Sequence, residues 1–152
     1  MMDDAQTRDR AGSCMCGAVR FAARAVPLKF GACHCEMCRR WTGSALLGVT
    51  VPAANITWTG EQNIARIQSS SWAERAWCGA CGSNLFFRFT GGGAPVGDIE
   101  LPIGLFDDAG GMVLHNEIYI DHKPDSFAYA ANDRQVLTRA QCVAKFPLLD
   151  GA

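Results

Sequence analysis

Seven of the chain's eight cysteines fall into three tight groups, Cys14-Met15-Cys16, Cys33-His34-Cys35-Glu36-Met37-Cys38 and Cys78-Gly79-Ala80-Cys81. Two cysteines separated by one or two residues can place both sulfurs about 2.3 Å from one metal ion while the intervening backbone donates N–H bonds to the thiolates, as in a zinc knuckle. Disulfides suit the pattern poorly, because bridging residues two apart closes a strained ring and a reducing compartment opens it. Counting donors separates two kinds of site. The first and last pairs together supply four sulfurs, enough to close a tetrahedral structural site, whereas the middle group supplies three and leaves a position open for a ligand. A second partition satisfies the same count: Cys35 and Cys38 join Cys78 and Cys81 in a zinc-ribbon arrangement, leaving Cys14, Cys16 and Cys33 over.

The residues around the middle group set its electrostatics. Three thiolates on Zn²⁺ carry a single net negative charge, so the adjacent Arg39 and Arg40 are candidates to neutralise the site or to hold the carboxylates of a ligand. The competing reading leaves both as solvated helix residues. Strand alternation turns His34 away from the metal, and Glu36 reads as an exposed turn carboxylate more than as an acid–base group. Cys142, remote from the clusters, reads as a small buried apolar residue, while His115 and His122 are candidate neighbours of a pocket. Trp41, Trp77, Phe86 and Phe87 flank the cysteine motifs and read chiefly as core, with ligand stacking the lesser alternative. Ser13 and Ser83 read as partners of turns or sulfurs, since no His–Asp arrangement accompanies either.

The elements that must position these groups are mostly strands. Short segments rich in β-branched and aromatic residues, punctuated by Gly, Pro and Asn, recur at 18–21, 46–51, 56–59, 64–68, 85–89, 99–105 and 117–120. Helical periodicity is confined to a short segment over 38–45 and a broken one over 133–146. The Gly91-Gly92-Gly93 run reads as a turn, because it lacks a lysine at P-loop spacing. With 152 residues, 49% of them hydrophobic, the chain has the size of one domain able to bury a real core. The expected organisation is a flexible N-terminus over 1–11, a single zinc-binding domain over 12–147 and a C-terminal tail over 148–152. A formal net charge of -1 argues against nucleic-acid and acidic-membrane partners. No apolar run reaches the ~20 residues of a membrane helix, and residues 1–10 show no secretory signal, so a cytoplasmic setting is expected.

Three motifs in order resemble the glutathione-dependent formaldehyde-activating enzyme (GFA) family, which also includes the centromere protein V relatives. Gly12-Ser13-Cys14-Met15-Cys16-Gly17-Ala18-Val19-Arg20-Phe21 is similar to its opening G-x-C-x-C-G-x-V/I-x-F/Y. Cys33-His34-Cys35-Glu36-Met37-Cys38-Arg39-Arg40-Trp41-Thr42-Gly43-Ser44 resembles its C-H-C-x-x-C-R-x-x-x-G-[SA] segment, and Trp77-Cys78-Gly79-Ala80-Cys81-Gly82-Ser83-Asn84-Leu85 its F-C-x-x-C-G-S-x-L motif. The resemblance implies a single-domain Mss4-like fold of coiled antiparallel sheets with zinc knuckles. It also selects one partition: Cys14, Cys16, Cys78 and Cys81 for a structural zinc, and Cys33, Cys35 and Cys38 for a second, reactive zinc. The sequence departs from the later H-I-[FYW] motif of many members, where Glu117 stands before Ile118 and His115 is displaced by two.

The activity so implied is carbon–sulfur lyase chemistry on a glutathione adduct, nominally glutathione and formaldehyde giving S-hydroxymethylglutathione. Two zinc ions and glutathione, or a related small-molecule thiol, are the expected cofactors and partners. Arg39 and Arg40 are the candidate carboxylate binders. The alternative is a non-catalytic zinc-binding module that carries a thiol ligand or a protein partner, since a fold alone does not specify catalysis. A nucleic-acid-binding zinc knuckle is disfavoured, because Arg39-Arg40 is the only adjacent basic pair.

Overall fold

In the computed structural model, which describes residues 6–93, 96–130 and 133–151, eleven strands form two sheets. The elements run β1 Thr7–Ser13, β2 Arg20–Pro27, β3 Lys29–Cys33, α1 Glu36–Thr42, β4 Leu46–Pro52, β5 Ile56–Thr59, β6 Ile64–Ser70, β7 Ala73–Cys78, β8 Asn84–Phe89, β9 Asp98–Pro102, β10 Val113–Ile118, β11 Gln135–Leu137 and α2 Arg139–Lys145. A small sheet has the order β1-β2-β5, and a large one the order β11-β10-β3-β4-β9-β8-β7-β6. The mostly-β, Mss4-like reading is the fold observed. Its pairings are antiparallel except at β10, which runs parallel to both β3 and β11.

Side-chain alternation explains how one sheet builds both a core and a site. Successive residues of a strand point to opposite faces. On β4, Val49 and Val51 face the small sheet and are buried with Ile99 and Leu101 of β9. Phe21 of β2, Trp58 of β5, Phe86 of β8 and Phe106 interlock there, with ring centroids 5.4–5.6 Å apart. The alternate residues Gly48 and Thr50 of β4 and Glu100 of β9 face the other way, into an open cavity.

Several boundaries differ from the sequence expectation for local reasons. Strand β1 begins at Thr7, inside the segment read as a flexible N-terminus, because Arg10 is buried and donates from its guanidinium to the Asp108 and Gly110 carbonyls. Helix α1 starts at Glu36 because the Cys35 sulfur caps it, accepting from Cys38 N at 3.4 Å. The broken helix resolves into β11 and α2, divided where Thr138 and Gln141 form a reciprocal capping box. The expected strand over 99–105 stops at Pro102, after which the chain makes a 3-10 turn. At the C-terminus, 147–151 forms another 3-10 turn whose Leu148 and Leu149 line the cavity. No helix among the described residues is long and apolar enough to cross a membrane.

Candidate active site

The seven clustered cysteines come together as a four and a three. The sulfurs of Cys14, Cys16, Cys78 and Cys81 lie within 4.8 Å of one another, as do those of Cys33, Cys35 and Cys38. The zinc-ribbon grouping of Cys35 and Cys38 with Cys78 and Cys81 is not the one the fold makes.

Two similar turns build the four-sulfur group. In the first, Cys14 N bonds to Val19 O at 3.0 Å while Val19 N donates to the Cys14 sulfur at 3.3 Å. In the second, Cys78 N bonds to Ser83 O at 2.9 Å and Gly82 N to Cys78 O at 2.8 Å. Gly17 and Gly82 supply the left-handed turns, at φ 78° and 80°, a conformation that glycine adopts without steric cost. The Ser83 hydroxyl ties the turns together, accepting from Met15 N at 2.9 Å and lying 3.2 Å from the Cys81 sulfur. That hydroxyl draws the Cys81 thiol down to about 5. The sulfur separations of 3.6 Å (Cys14–Cys16) and 3.9 Å (Cys16–Cys78) match the edge of about 3.8 Å that a tetrahedron of 2.3 Å metal–sulfur bonds requires. The donor set and its spacing fit a closed, structural metal ion.

The three-sulfur group differs in its surroundings. Cys33 ends β3, Cys35 caps α1 and Cys38 is buried in its first turn, and all three line the large cavity, about 520 Å³ in volume. The adjacent Cys33 and Cys38 thiols draw the Cys35 pKa far below the ordinary thiol range, with Arg75 adding to the effect. The Cys35 neighbour and burial push the Cys33 and Cys38 thiols the other way, up, and binding of a divalent cation would displace their protons. This set fits a metal ion with one position facing the cavity.

The cation that reaches these sulfurs is Arg75 on β7. Buried at 5% exposure, it stacks between the rings of Trp41 and Phe87, at 4.8 and 5.0 Å, and directs two guanidinium nitrogens at the Cys38 sulfur, 3.7 and 3.9 Å away. Arg39 and Arg40 are placed elsewhere. They border a separate cleft of about 280 Å³ with Pro124 and Phe127, and Arg40 forms an exposed i,i+4 pair with Glu36. Sequence reasoning passed over Arg75 because nothing nearby in the chain marks it. Strand pairing alone brings Arg75 opposite Phe87 and Phe87 opposite Glu100, across three strands.

Two further acids matter. Glu100 lines the cavity, where burial raises its carboxyl above the ordinary range, and it accepts a hydrogen bond from the Thr50 hydroxyl. Glu117 accepts from His34 Nε2 at 2.7 Å and from Arg134 Nε at 2.6 Å, with His34 wholly buried and stacked on Tyr129. His34 therefore points away from the metal group, as alternation implies. Burial pushes the Glu117 carboxyl up, but the His34 and Arg134 bonds outweigh it and hold it low. The acid at the departure from the family's H-I-[FYW] pattern is thus a buttress behind the Cys33–Cys38 segment. The residue two places on, Tyr119, is buried and in the left-handed region at φ 55°, and it closes part of the cavity wall. His115 also lines the cavity, whereas His122 packs on Tyr119 and Cys142 is the buried residue of α2.

Replacing Glu117 by alanine leaves the Arg134 guanidinium and the buried His34 ring without their shared acceptor and is expected to cost about 3–5 kcal/mol in urea unfolding at pH 7. Because the folded-state acidity is increased, this contribution is present above the unfolded value of about 4.3 and lost as pH falls through the lower folded value. The gap between the two proteins should therefore narrow on acidification.

The sequence matches the model of the family described as glutathione-dependent formaldehyde-activating enzyme over residues 9–122. A Schizosaccharomyces pombe protein described as an uncharacterized lyase is 31% identical over 119 residues, covering 78% of this chain and 84% of that protein. A crystal structure of a Rhodobacter sphaeroides protein superposes with a TM-score of 0.52 at 20% identity, covering 64% of this chain and 87% of that one, and shares its fold. The matched span carries both cysteine groups and ends just beyond Tyr119, and on it the chain belongs to the glutathione-dependent formaldehyde-activating enzyme family.

Proposed function

We propose that the protein is a zinc-dependent carbon–sulfur lyase that makes and breaks the bond between a glutathione thiol and an aldehyde carbon, nominally in S-hydroxymethylglutathione. One observation carries the reading: of the two cysteine groups, the three-sulfur one lines the cavity. Zinc held by Cys33, Cys35 and Cys38 would supply Lewis acidity there, lowering the pKa of a thiol or polarising a carbonyl oxygen. The four-sulfur group, at Cys14, Cys16, Cys78 and Cys81, holds a second zinc that ties the β1–β2 connection to the β7–β8 hairpin.

The chain's own residues then have defined tasks. Arg75 offsets the negative charge of the three thiolates from inside the protein, where a charge interaction is weakly screened. Addition of a thiol to an aldehyde forms one S–C bond and moves one proton from sulfur to the carbonyl oxygen. Glu100, whose carboxyl is shifted by burial toward its acid form, is placed to give that proton and recover the one the thiol loses, with the Thr50 hydroxyl bonded to it. The reverse sequence breaks the bond.

Replacing Cys35 with alanine removes one of three ligands and is expected to lower formaldehyde consumption with glutathione at least a hundredfold while leaving the four-sulfur metal bound. Rates with and without glutathione, taken together with metal content, check this. Full activity in the variant would contradict the assignment, and thiol binding without turnover in the parent would instead identify a carrier.

A further inference from the structure

The cavity beside the three sulfurs has two chemically different ends. Where it is bounded by β3 and β10, its lining includes Lys29, His115 and Asn116. Where it is bounded by β8 and the β6–β7 turn, Trp72, Phe87 and Phe89 form a wall of mutually packed rings with centroids 5.0–6.2 Å apart. Between the ends, the Glu100 carboxyl lies over Gly48, where an added Cβ would come within 3.0 Å of its Oε2. The volume of about 520 Å³ falls within the range of pockets that enclose sizeable organic ligands.

Formaldehyde contributes one carbon to an adduct, too little to cover three aromatic rings. Glutathione itself brings two carboxylates, an ammonium and two amides, groups that lose their hydration without return if laid on such a wall. Its polar arms suit the Lys29–His115–Asn116 end, which leaves the aromatic end for the other component. We propose that the aldehyde joined to the thiol in this cavity carries a bulky apolar group, aromatic or of about six carbons or more, that seats on Trp72, Phe87 and Phe89. This rests on the carbon–sulfur reading above and extends it to the substrate class. The chemistry is unchanged: the S–C bond forms at the aldehyde carbon, the proton passes to its oxygen, and no oxidant or reductant takes part. The ring wall meets an aryl group in offset or edge-on contact. A fully buried methylene is worth roughly fourfold in affinity, so two or three such equivalents give ~20-fold or more.

Stable thioethers test this on the metal-loaded protein by calorimetry, with S-(2-phenylethyl)glutathione, S-methylglutathione and 2-phenylethyl methyl sulfide as probes. The phenylethyl conjugate is expected to bind at least ~20-fold more tightly than the methyl conjugate. That ratio should fall below about fivefold in Phe89→Ala, or in Trp72→Leu should the first variant not fold. Equal affinities for the two conjugates would overturn the aromatic end while leaving the glutathione reading intact. Binding of neither conjugate would overturn both. A sulfide lacking glutathione that binds as tightly as the phenylethyl conjugate would overturn the two-ended arrangement.

Discussion

Replacing Cys78 with serine is expected to unfold the protein, not merely to weaken it. Cys78 is wholly buried at the end of β7, and its sulfur lies 3.9 Å from that of Cys16, across the junction of the two sheets. On the proposed assignment its loss removes one of four ligands to the structural zinc. Metal binding in such sites is worth about 10–16 kcal/mol at neutral pH, while the whole net stability of a domain is about 5–15 kcal/mol. The two quantities are comparable, so the variant should show no cooperative thermal transition by circular dichroism, and prolonged chelation should reproduce that state in the parent. A melting temperature within a few degrees of the parent's would contradict a structural role.

The second large effect is expected at Arg75. Substitution by methionine keeps a long apolar stem between Trp41 and Phe87 but removes the two nitrogens directed at Cys38. Losing a partner just outside the ligand set typically costs ten- to a hundredfold in metal affinity or activity. Metal-competition titration should therefore show the three-sulfur site weakened by about that factor, with the four-sulfur site unaffected. Arg75→Lys should recover part of the loss, because lysine restores the charge without the planar fork that stacks on the two rings. Equal affinities in the parent and in Arg75→Met would show that the guanidinium serves only to fill the core.

The difference between these two residues shows what was legible in the sequence. Cys78 was visible because its partner Cys81 stands three positions away, and metal ligation imposes a spacing that is read along the chain. Arg75 becomes visible only when β7, β8 and β9 pair, since its neighbours Phe87, Trp41 and Cys38 come from distant segments. The strand at 56–59 could be read from its β-branched and aromatic residues, and it is observed with those bounds. Strand β7 could not, because Glu74 and Arg75 put two charges in its centre. The fold accommodates them individually, Glu74 between Arg66 and Arg88 and Arg75 against sulfur and rings.

Strand β1 was obscured in another way. Its sequence TRDRAGS is polar because it lies at the edge of the small sheet, and the two terminal nitrogens of its buried Arg10 donate to the distant Asp108 and Gly110 carbonyls. Glu117 stands out in the sequence only as a departure from a family pattern. Its role as the acceptor for both His34 and Arg134 follows only from the parallel pairing of β10 with β3, which sets Glu117 opposite Ala32 and Ile118 opposite Cys33.

The division of seven cysteines into a closed four and an open three is tested most directly by metal content per chain in the purified protein and in Cys35→Ala. The proposed assignment requires two zinc ions per chain in the parent and one in the variant, with the remaining ion resistant to mild chelation. A single ion in the parent, or loss of both ions in Cys35→Ala, would contradict it.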